Sequence, residues 1–157
     1  MDYDVRLVEF PGVRHLAVVR RRAAQRELPR VVPAACGKVW GVIKARQVTG
    51  AGRHVALYLD DEINLEVGVE LDAPFPGDGD VVPSSLPQGT AATTTHFGPY
   101  QLLGNAHRAI REWCKTNGHR MAGPNWEVYG HWRTEWEKDA SQITTDIYYL
   151  IDTDGAR

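Results

Sequence analysis

The stretch GPNWEVYGHW, Gly123–Trp132, contains the two features on which the fold assignment depends. It alternates in the way a buried strand does, and it places one carboxylate, Glu127, among two tryptophans, a tyrosine and a histidine. The same spacing occurs earlier in AGRHVALY, where Gly52 corresponds to Gly123 and Tyr58 to Tyr129. A repeated spacing of this kind indicates an internal duplication.

The first half of the chain predicts two strands, a helix and two more strands. Alternation on both sides of Pro11 and Gly12 predicts a hairpin, and a helical stripe begins at Pro33. The predicted strands span residues 4–10, 14–19, 54–59 and 65–71, and the stripe contains Cys36, Val39, Trp40 and Ile43. The acidic segment DDEIN, residues 60–64, is predicted to be the turn between the last two strands.

The same order of elements begins again after the turn-forming segment PFPGDG, residues 74–79. A strand pair within residues 80–97 precedes a helix that opens at Pro99 and stops at Gly118. The apolar face of that helix consists of Leu102, Leu103, Ala106, Ala109, Ile110, Trp113 and Cys114. A last strand pair follows, in residues 125–132 and 144–151, and the segment RTEWEKDASQI between them has no counterpart in the first half.

These patterns predict an α+β fold made of two tandem strand-strand-helix-strand-strand modules around a pseudo-twofold axis. The modules cover about residues 1–73 and 79–153 and share a curved, mainly antiparallel sheet with two main helices. A chain of 157 residues is long enough for one substantial core. We therefore expect a single domain over residues 1–157.

Strand alternation predicts which side chains face the helices. Val55, Leu57 and Leu59 form the apolar set of one strand, so we expect them under a helix, which leaves Ala56 and Tyr58 on the other face. The same alternation puts Trp126 and Val128 beneath a helix. The side chains predicted to line one shared cleft on the opposite face are Glu127, Tyr129, His131, Tyr58 and Tyr148.

Composition and motif spacing exclude several classes of function. The formal net charge is −2, from 18 basic and 20 acidic residues spread along the chain, which argues against nucleic acid as a partner. The acidic N-terminus does not resemble a signal peptide and no segment reaches the length of a membrane span, so we expect a cytoplasmic protein, monomeric or homodimeric. Cys36 and Cys114 fall on helical apolar faces as free thiols. The six histidines lack metal-site spacing, and we expect no metal and no cofactor.

Three segments carry a resemblance to a known family. LPQGTAATTTHFGPYQLLGNAHRAI (residues 86–110), AGPNWEVYG (residues 122–130) and TDIYYLI (residues 145–151), in their duplicated layout, resemble the GyrI-like small-molecule-binding family. That family is related to the effector-binding domains of MerR- and AraC-type regulators. The resemblance implies a ligand cleft between the modules, where Glu127 meets the cationic or polar part of a flat, apolar ligand. The first predicted strand begins so early that we expect no helix-turn-helix segment before it.

Some stand-alone proteins of this family hydrolyse strained cyclopropanes in DNA-alkylating natural products, which protects a cell from the compound. For such a reaction Glu127 is a candidate general base and Tyr129 a candidate hydrogen-bond donor to the developing phenolate. The candidate ligand-binding aromatics are Trp40, Tyr58, Tyr100, Trp113, Trp132 and Tyr148. The partner expected in the cleft is a hydrophobic, aromatic small molecule.

Alternative roles remain open at this point. Glu127 is equally consistent with a counter-charge in a protein that binds or sequesters a ligand without turnover, and a structural ion pair is a third role. Trp40, Trp113 and Trp126 lie on stripes predicted to face the core, which favours packing over ligand contact. His107 is interpreted as a structural helix-side histidine, and His96 is a candidate for the cleft rim.

Overall fold

The computed structural model describes residues 3–60 and 64–153 and has the predicted α+β architecture, with eight strands and two main helices. The turn predicted at DDEIN lies largely outside the described residues. The strands are β1 (Arg6–Phe10), β2 (Arg14–Arg22), β3 (Ala51–Tyr58), β4 (Asn64–Leu71), β5 (Val82–Leu86), β6 (Gly89–Phe97), β7 (Met121–Tyr129) and β8 (Thr144–Ile151). The helices are α1 (Leu28–Ala45), α2 (Leu103–Thr116) and the short α3 (Glu135–Lys138).

The sheet is antiparallel with the strand order β1-β6-β8-β7-β3-β4-β2-β5. The hairpin predicted for the first two strands is wrong, because β1 pairs with β6 of the second module while β2 pairs with β4 and β5. Strand β5 of the second module pairs in turn with β2 of the first. The first strand of each module therefore lies at the outer edge of the other module's part of the sheet. Alternation identifies strands but not the strands with which they pair. For that reason the sequence predicts a hairpin, the pairing with the shortest connection.

The pairing register confirms the duplication. Strand β3 pairs with β7 so that Ala56 lies opposite Glu127. Ala56 also pairs with Val67 on β4, and Glu127 pairs in the same way with Ile147 on β8. Ala56 thus occupies in the first module the position that Glu127 occupies in the second. The two residues face each other where the modules meet.

Helix α1 begins earlier than predicted. It starts at Leu28, so Pro33 lies inside the helix and Pro29 sits in the first turn, where its missing N–H costs no hydrogen bond. Its buried residues, Ala35, Val39 and Ile43, pack on β2 and β4.

Helix α2 follows the predicted stripe closely. Its buried face consists of Leu103, Ala106, Ile110 and Cys114, and it packs on β6 and β8. Leu102, predicted on this face, precedes the helix and is exposed. The helix stops before Gly118, whose φ of +73° suits glycine. Among the described residues no helix is long and apolar enough to cross a membrane.

The faces of the central strands are the reverse of those predicted. Ala56, Tyr58 and Tyr129 pack with the residues of α1, so this face lies under the helices. Of the set predicted beneath a helix, Leu59 is exposed, and Val55, Leu57, Trp126 and Val128 belong to a second core on the other face. The described residues of that core lie on strands and include Val8, Phe10 and Tyr148. The edge strands supply part of this core, because the curved sheet brings β1 and β5 over the centre. Both faces are therefore apolar, and alternation alone could not assign the helices to one of them.

Candidate functional site

The candidate site lies between the two main helices, above the central strands β3 and β7. Helix α1 covers one half of the sheet and α2 the other, and Tyr129 packs against the core cluster of each. Glu127 lies on the same face and is 5% exposed. We call this region the inter-helix site; its central residues are Glu127, Tyr58, Tyr129, His107 and Tyr149.

Three side chains donate to, or lie within hydrogen-bonding distance of, the Glu127 carboxylate. The Tyr129 hydroxyl donates to Oε1 at 2.6 Å and the Tyr58 hydroxyl donates to the same oxygen at 3.3 Å. Nε2 of His107 lies 2.6 Å from Oε2. Contacts from three directions fix the orientation of this carboxylate.

The two tyrosines remain protonated over a wide pH range. Burial raises the pKa of Tyr58 and of Tyr129, and the negative charge of Glu127 raises both further. Each phenol therefore acts as a hydrogen-bond donor to the carboxylate. Tyr129 owes its position to the end of β7, two residues after Glu127 on the same face.

Helix α2 contributes a second group of polar contacts. Nδ1 of His107 lies 2.6 Å from the hydroxyl of Tyr149 on β8, and Nη1 of Arg111 donates to that hydroxyl at 3.0 Å. His107 and Arg111 are four residues apart, so they project from the same side of the helix. The imidazole ring also lies edge-on to Tyr149, with 5.5 Å between ring centroids.

Tyr100 and Cys36 complete the site from the helix side. Tyr100, in the 3₁₀ turn before α2, lies edge-on to Tyr129 with 5.9 Å between ring centroids. Burial raises the pKa of Tyr100, and Cys36 of α1 lies near enough for its thiolate form to raise it further. Burial also raises the pKa of Cys36 to about 11, so this thiol is neutral at physiological pH. The groups in direct contact with the Glu127 carboxylate are thus two phenols and an imidazole, and Arg111 lies one residue farther away, on Tyr149.

Comparison with known proteins identifies the family of the chain. The profile of the family described as the GyrI-like small molecule binding domain matches residues 4–151. The chain belongs to the GyrI-like family. Binding of a small molecule is the property that this family implies for it. No curated protein sequence matches this GyrI-like chain significantly.

Solved structures share the GyrI-like fold at low sequence identity. The C-terminal domain of EcmrR is similar with a TM-score of 0.78 and 24% identity, covering 97% of this chain and 99% of that one. A longer EcmrR chain, in a complex with DNA, is matched over 57% of its length. SAV2435, bound to tetraphenylphosphonium, has a TM-score of 0.64 and 12% identity over 100% of this chain and 98% of its own. A hydrolase from Listeria innocua has a TM-score of 0.62 and 10% identity, covering 95% and 92%.

The structure brings several of the predicted site residues of this GyrI-like domain together. Glu127, Tyr129 and Tyr58 share one hydrogen-bond network, and Tyr100 contacts Tyr129. Tyr148 does not belong to this group, and the predicted cleft shared with it is wrong. Its ring stacks on Trp126 on the opposite face of the sheet, with 5.3 Å between ring centroids. The reason is that the faces of β3 and β7 are the reverse of those predicted, whereas Tyr148 of β8 does lie on the face away from the helices.

The predicted tryptophans lie farther from the carboxylate network. Trp40 is 40% exposed on α1 and lies edge-on to His54, so it is not the core residue that its stripe suggested. Trp113 stacks on His119, towards the end of α2. Trp132 follows β7, is 55% exposed, and its ring contact is with Trp136 of the insertion. The ligand contacts predicted for these three residues remain predictions.

Sequence reasoning missed two residues of the site and misjudged a third. The sequence predicts a structural role for His107, whereas its Nε2 lies 2.6 Å from Glu127, and it predicts no role in the site for Tyr149 or Arg111. His96, a candidate for the rim, is fully buried and hydrogen-bonded to Tyr3. Once Ile147 is placed under α2, alternation along β8 puts Tyr149 on the same face, and helical spacing adds Arg111. Alternation and helical spacing therefore place Tyr149 and Arg111 near Glu127 only when the helices are assigned to the face that carries Glu127.

Proposed function

We propose that this GyrI-like protein binds organic cations that carry flat aromatic groups, with Glu127 as the counter-charge. The ligand occupies the inter-helix site, where aromatic rings contact its apolar parts. Tyr58, Tyr100 and Tyr129 supply those rings, and stacking together with burial of apolar area supplies most of the affinity. The carboxylate supplies preference for a positive charge.

The observation that carries this proposal is a buried carboxylate without a permanent cation beside it. Glu66, also 5% exposed, pairs with Arg20 at 3.0 Å, and Asp146 pairs with Arg53 at 3.0 Å. Within the described residues, the ion-pairing partner of Glu127 is His107, which is charged only when protonated. Burying a carboxylate is costly unless it is paired with a cation, so one whose partner is not permanently charged favours a role in ligand binding over a structural role.

The bound ligand of SAV2435 supports the same chemistry. Tetraphenylphosphonium is a permanent cation enclosed by aromatic rings, and that protein shares the fold of this one. It is therefore a suitable probe: its charge does not depend on pH, and its four phenyl rings match an aromatic site.

The proposal is tested by measuring the affinity for tetraphenylphosphonium and for a neutral aromatic compound of similar size. Glu127→Gln keeps the size of the side chain and deletes its charge. It should weaken binding of the cation by about 1.5–3 kcal/mol, which is roughly 10- to 150-fold, and leave the neutral compound unaffected.

The matched control is Glu70→Gln, which makes the same change at a carboxylate bound to Arg53 at the rim of the opposite face. It should leave both affinities unchanged. Equal losses in the two variants, or no loss for Glu127→Gln, would refute the counter-charge role.

Hydrolysis of a cyclopropanoid alkylating compound is a second candidate function. The contact between His107 and Glu127 favours it, because a carboxylate beside an imidazole can pass on a proton taken from water. Structures that share the fold include hydrolases from Listeria innocua, one of them encoded by lin2189. Such an activity would serve detoxification or antibiotic resistance.

In this reaction water forms a C–O bond to a cyclopropane carbon and gives a proton to Glu127. The ring C–C bond breaks, and its electron pair moves to the dienone oxygen, which becomes a phenolate. The phenolate then takes the proton from Glu127. Tyr129 donates a hydrogen bond to that oxygen as its charge develops. The net change is the addition of one water molecule.

Turnover separates the two candidates. A hydrolase should convert many equivalents of a cyclopropanoid compound to the water-added, ring-opened product, and Glu127→Gln should slow this about 10²-fold or more. Stoichiometric capture of the intact compound would support binding alone.

A further inference from the structure

His107 connects the carboxylate of Glu127 to helix α2. The side chains of the two residues are 14% and 7% exposed, so the pair is largely removed from water. Nε2 of His107 is 2.6 Å from Oε2, a distance at which a charge on the imidazole acts on the carboxylate with little screening. Histidine is the side chain whose charge ordinarily changes between pH 5 and 8.

We propose, on the basis of the function proposed above, that His107 controls the charge of the inter-helix site by exchanging its proton for the bound cation. The protonated imidazole and the carboxylate together carry no net charge and do not favour a cation. The neutral imidazole leaves the pair with a charge of −1, which does. A cation therefore binds the unprotonated form, and its binding releases a proton.

The hydrogen bonds around His107 fit the neutral ring. Arg111 can only donate, so the Tyr149 oxygen accepts from it and the phenol hydrogen can point to Nδ1. Nδ1 is then an acceptor, and the ring proton on Nε2 points to Glu127. This tautomer satisfies both ring nitrogens and leaves the carboxylate its negative charge.

The neighbouring groups do not replace His107 in this exchange. Burial raises the pKa values of Tyr58 and Tyr129, and the Glu127 charge raises them further, so both phenols stay neutral near pH 7. Arginine side chains do not exchange a proton in this pH range. The groups in direct contact with the pair are Tyr58 from β3, Tyr129 from β7 and Tyr149 from β8. Around them, Arg111 from α2 contacts Tyr149, and Tyr100 from the turn before α2 and Cys36 from α1 lie near Tyr129. The Cys36 thiol, with its pKa raised by burial to about 11, also stays neutral.

The experiment is calorimetric titration with tetraphenylphosphonium between pH 5.5 and 8.5, in MES and Bis-Tris on the acidic side and in phosphate and Tris on the basic side, each a pair whose ionisation enthalpies differ. The heat difference between the two buffers of a pair counts the protons released. For the wild type we expect release of up to one proton, and an affinity that rises with pH by up to about tenfold per pH unit on the acidic side. A flat affinity with no proton release would overturn the inference.

His107→Gln keeps a donor for Glu127 and removes the imidazole ring. We expect it to bind the cation with an affinity that varies little over this range and with no proton release. His119→Gln is the matched control, because His119 stacks on Trp113 away from the carboxylate, and it should behave as the wild type.

The outcomes distinguish this inference from the function on which it rests. If His107→Gln releases as many protons as the wild type, His107 is not the exchanging group and the inference fails alone. If tetraphenylphosphonium binds the folded wild type at no pH, the proposed function fails, and the inference with it.

Discussion

Substitution of Tyr129 by phenylalanine tests how much the hydrogen bond from Tyr129 to the Glu127 carboxylate contributes to the stability of the fold. The change removes one hydroxyl, which donates to Oε1 of Glu127 at 2.6 Å, and leaves the ring packed against both helix clusters. A hydrogen bond to a charged group contributes about 1.5–3 kcal/mol. Tyr58 still donates to the same oxygen, so we expect a loss at the lower end, about 1.5–2 kcal/mol.

Tyr58→Phe is the matched variant, because its hydroxyl donates to the same oxygen over a longer distance of 3.3 Å. We expect it to cost less, about 0.5–1.5 kcal/mol. Urea denaturation followed by tryptophan fluorescence measures both losses, and for a chain of this size each kcal/mol lowers Tm by about 2–4 °C. In a Glu127→Gln background the loss from Tyr129→Phe should shrink, since the acceptor is then neutral. A loss for Tyr58→Phe that equals or exceeds that for Tyr129→Phe would refute this reasoning.

Three further predictions follow from the structure. The pKa values of Tyr58 and Tyr129 are raised in the folded state, so their contribution to stability is complete below about pH 10 and is lost above it, because the unfolded chain ionises first. Urea denaturation above pH 10 should therefore show falling stability, less steeply in either Phe variant. Cys36, with a pKa of about 11, should react slowly with a disulfide reagent at pH 8 and faster after unfolding. Tyr148→Phe should leave cation affinity unchanged, because that ring stacks on Trp126 on the opposite face.

The elements of the fold could be predicted because each depends on a local pattern. The stripe of α2 and the alternation of β7 and β8 gave those elements within a few residues. Helix α1 was shortened because Pro33 looks like a first-turn proline, whereas the helix continues through it. Strand partners depend on contacts between distant residues, so the exchange of β1 and β5 left no local signal.

The candidate site was predicted in part for a related reason. Glu127 and Tyr129 stand out in the sequence as polar groups in a buried strand, and both lie in the site. The partners from α2 and β8 depend on which face the helix covers, and both faces of the central strands are apolar. The edge strands β1 and β5 cover the face opposite the helices, so the central strands carry apolar side chains on both faces. Composition therefore does not distinguish the two faces.

The exchange of first strands also bears on how a site with a single carboxylate could arise. A chain with only one of these modules would lack its edge strand, and it could build the same sheet only as a symmetric pair of chains. In such a pair the residues opposite each other at the axis would be identical, either two glutamates or two alanines. Two glutamates there would have Cβ atoms about 5 Å apart and would repel one another. Joining the modules in one chain permits glutamate at position 127 to face alanine at position 56, so that the axis carries one charge and a small neighbour beside it.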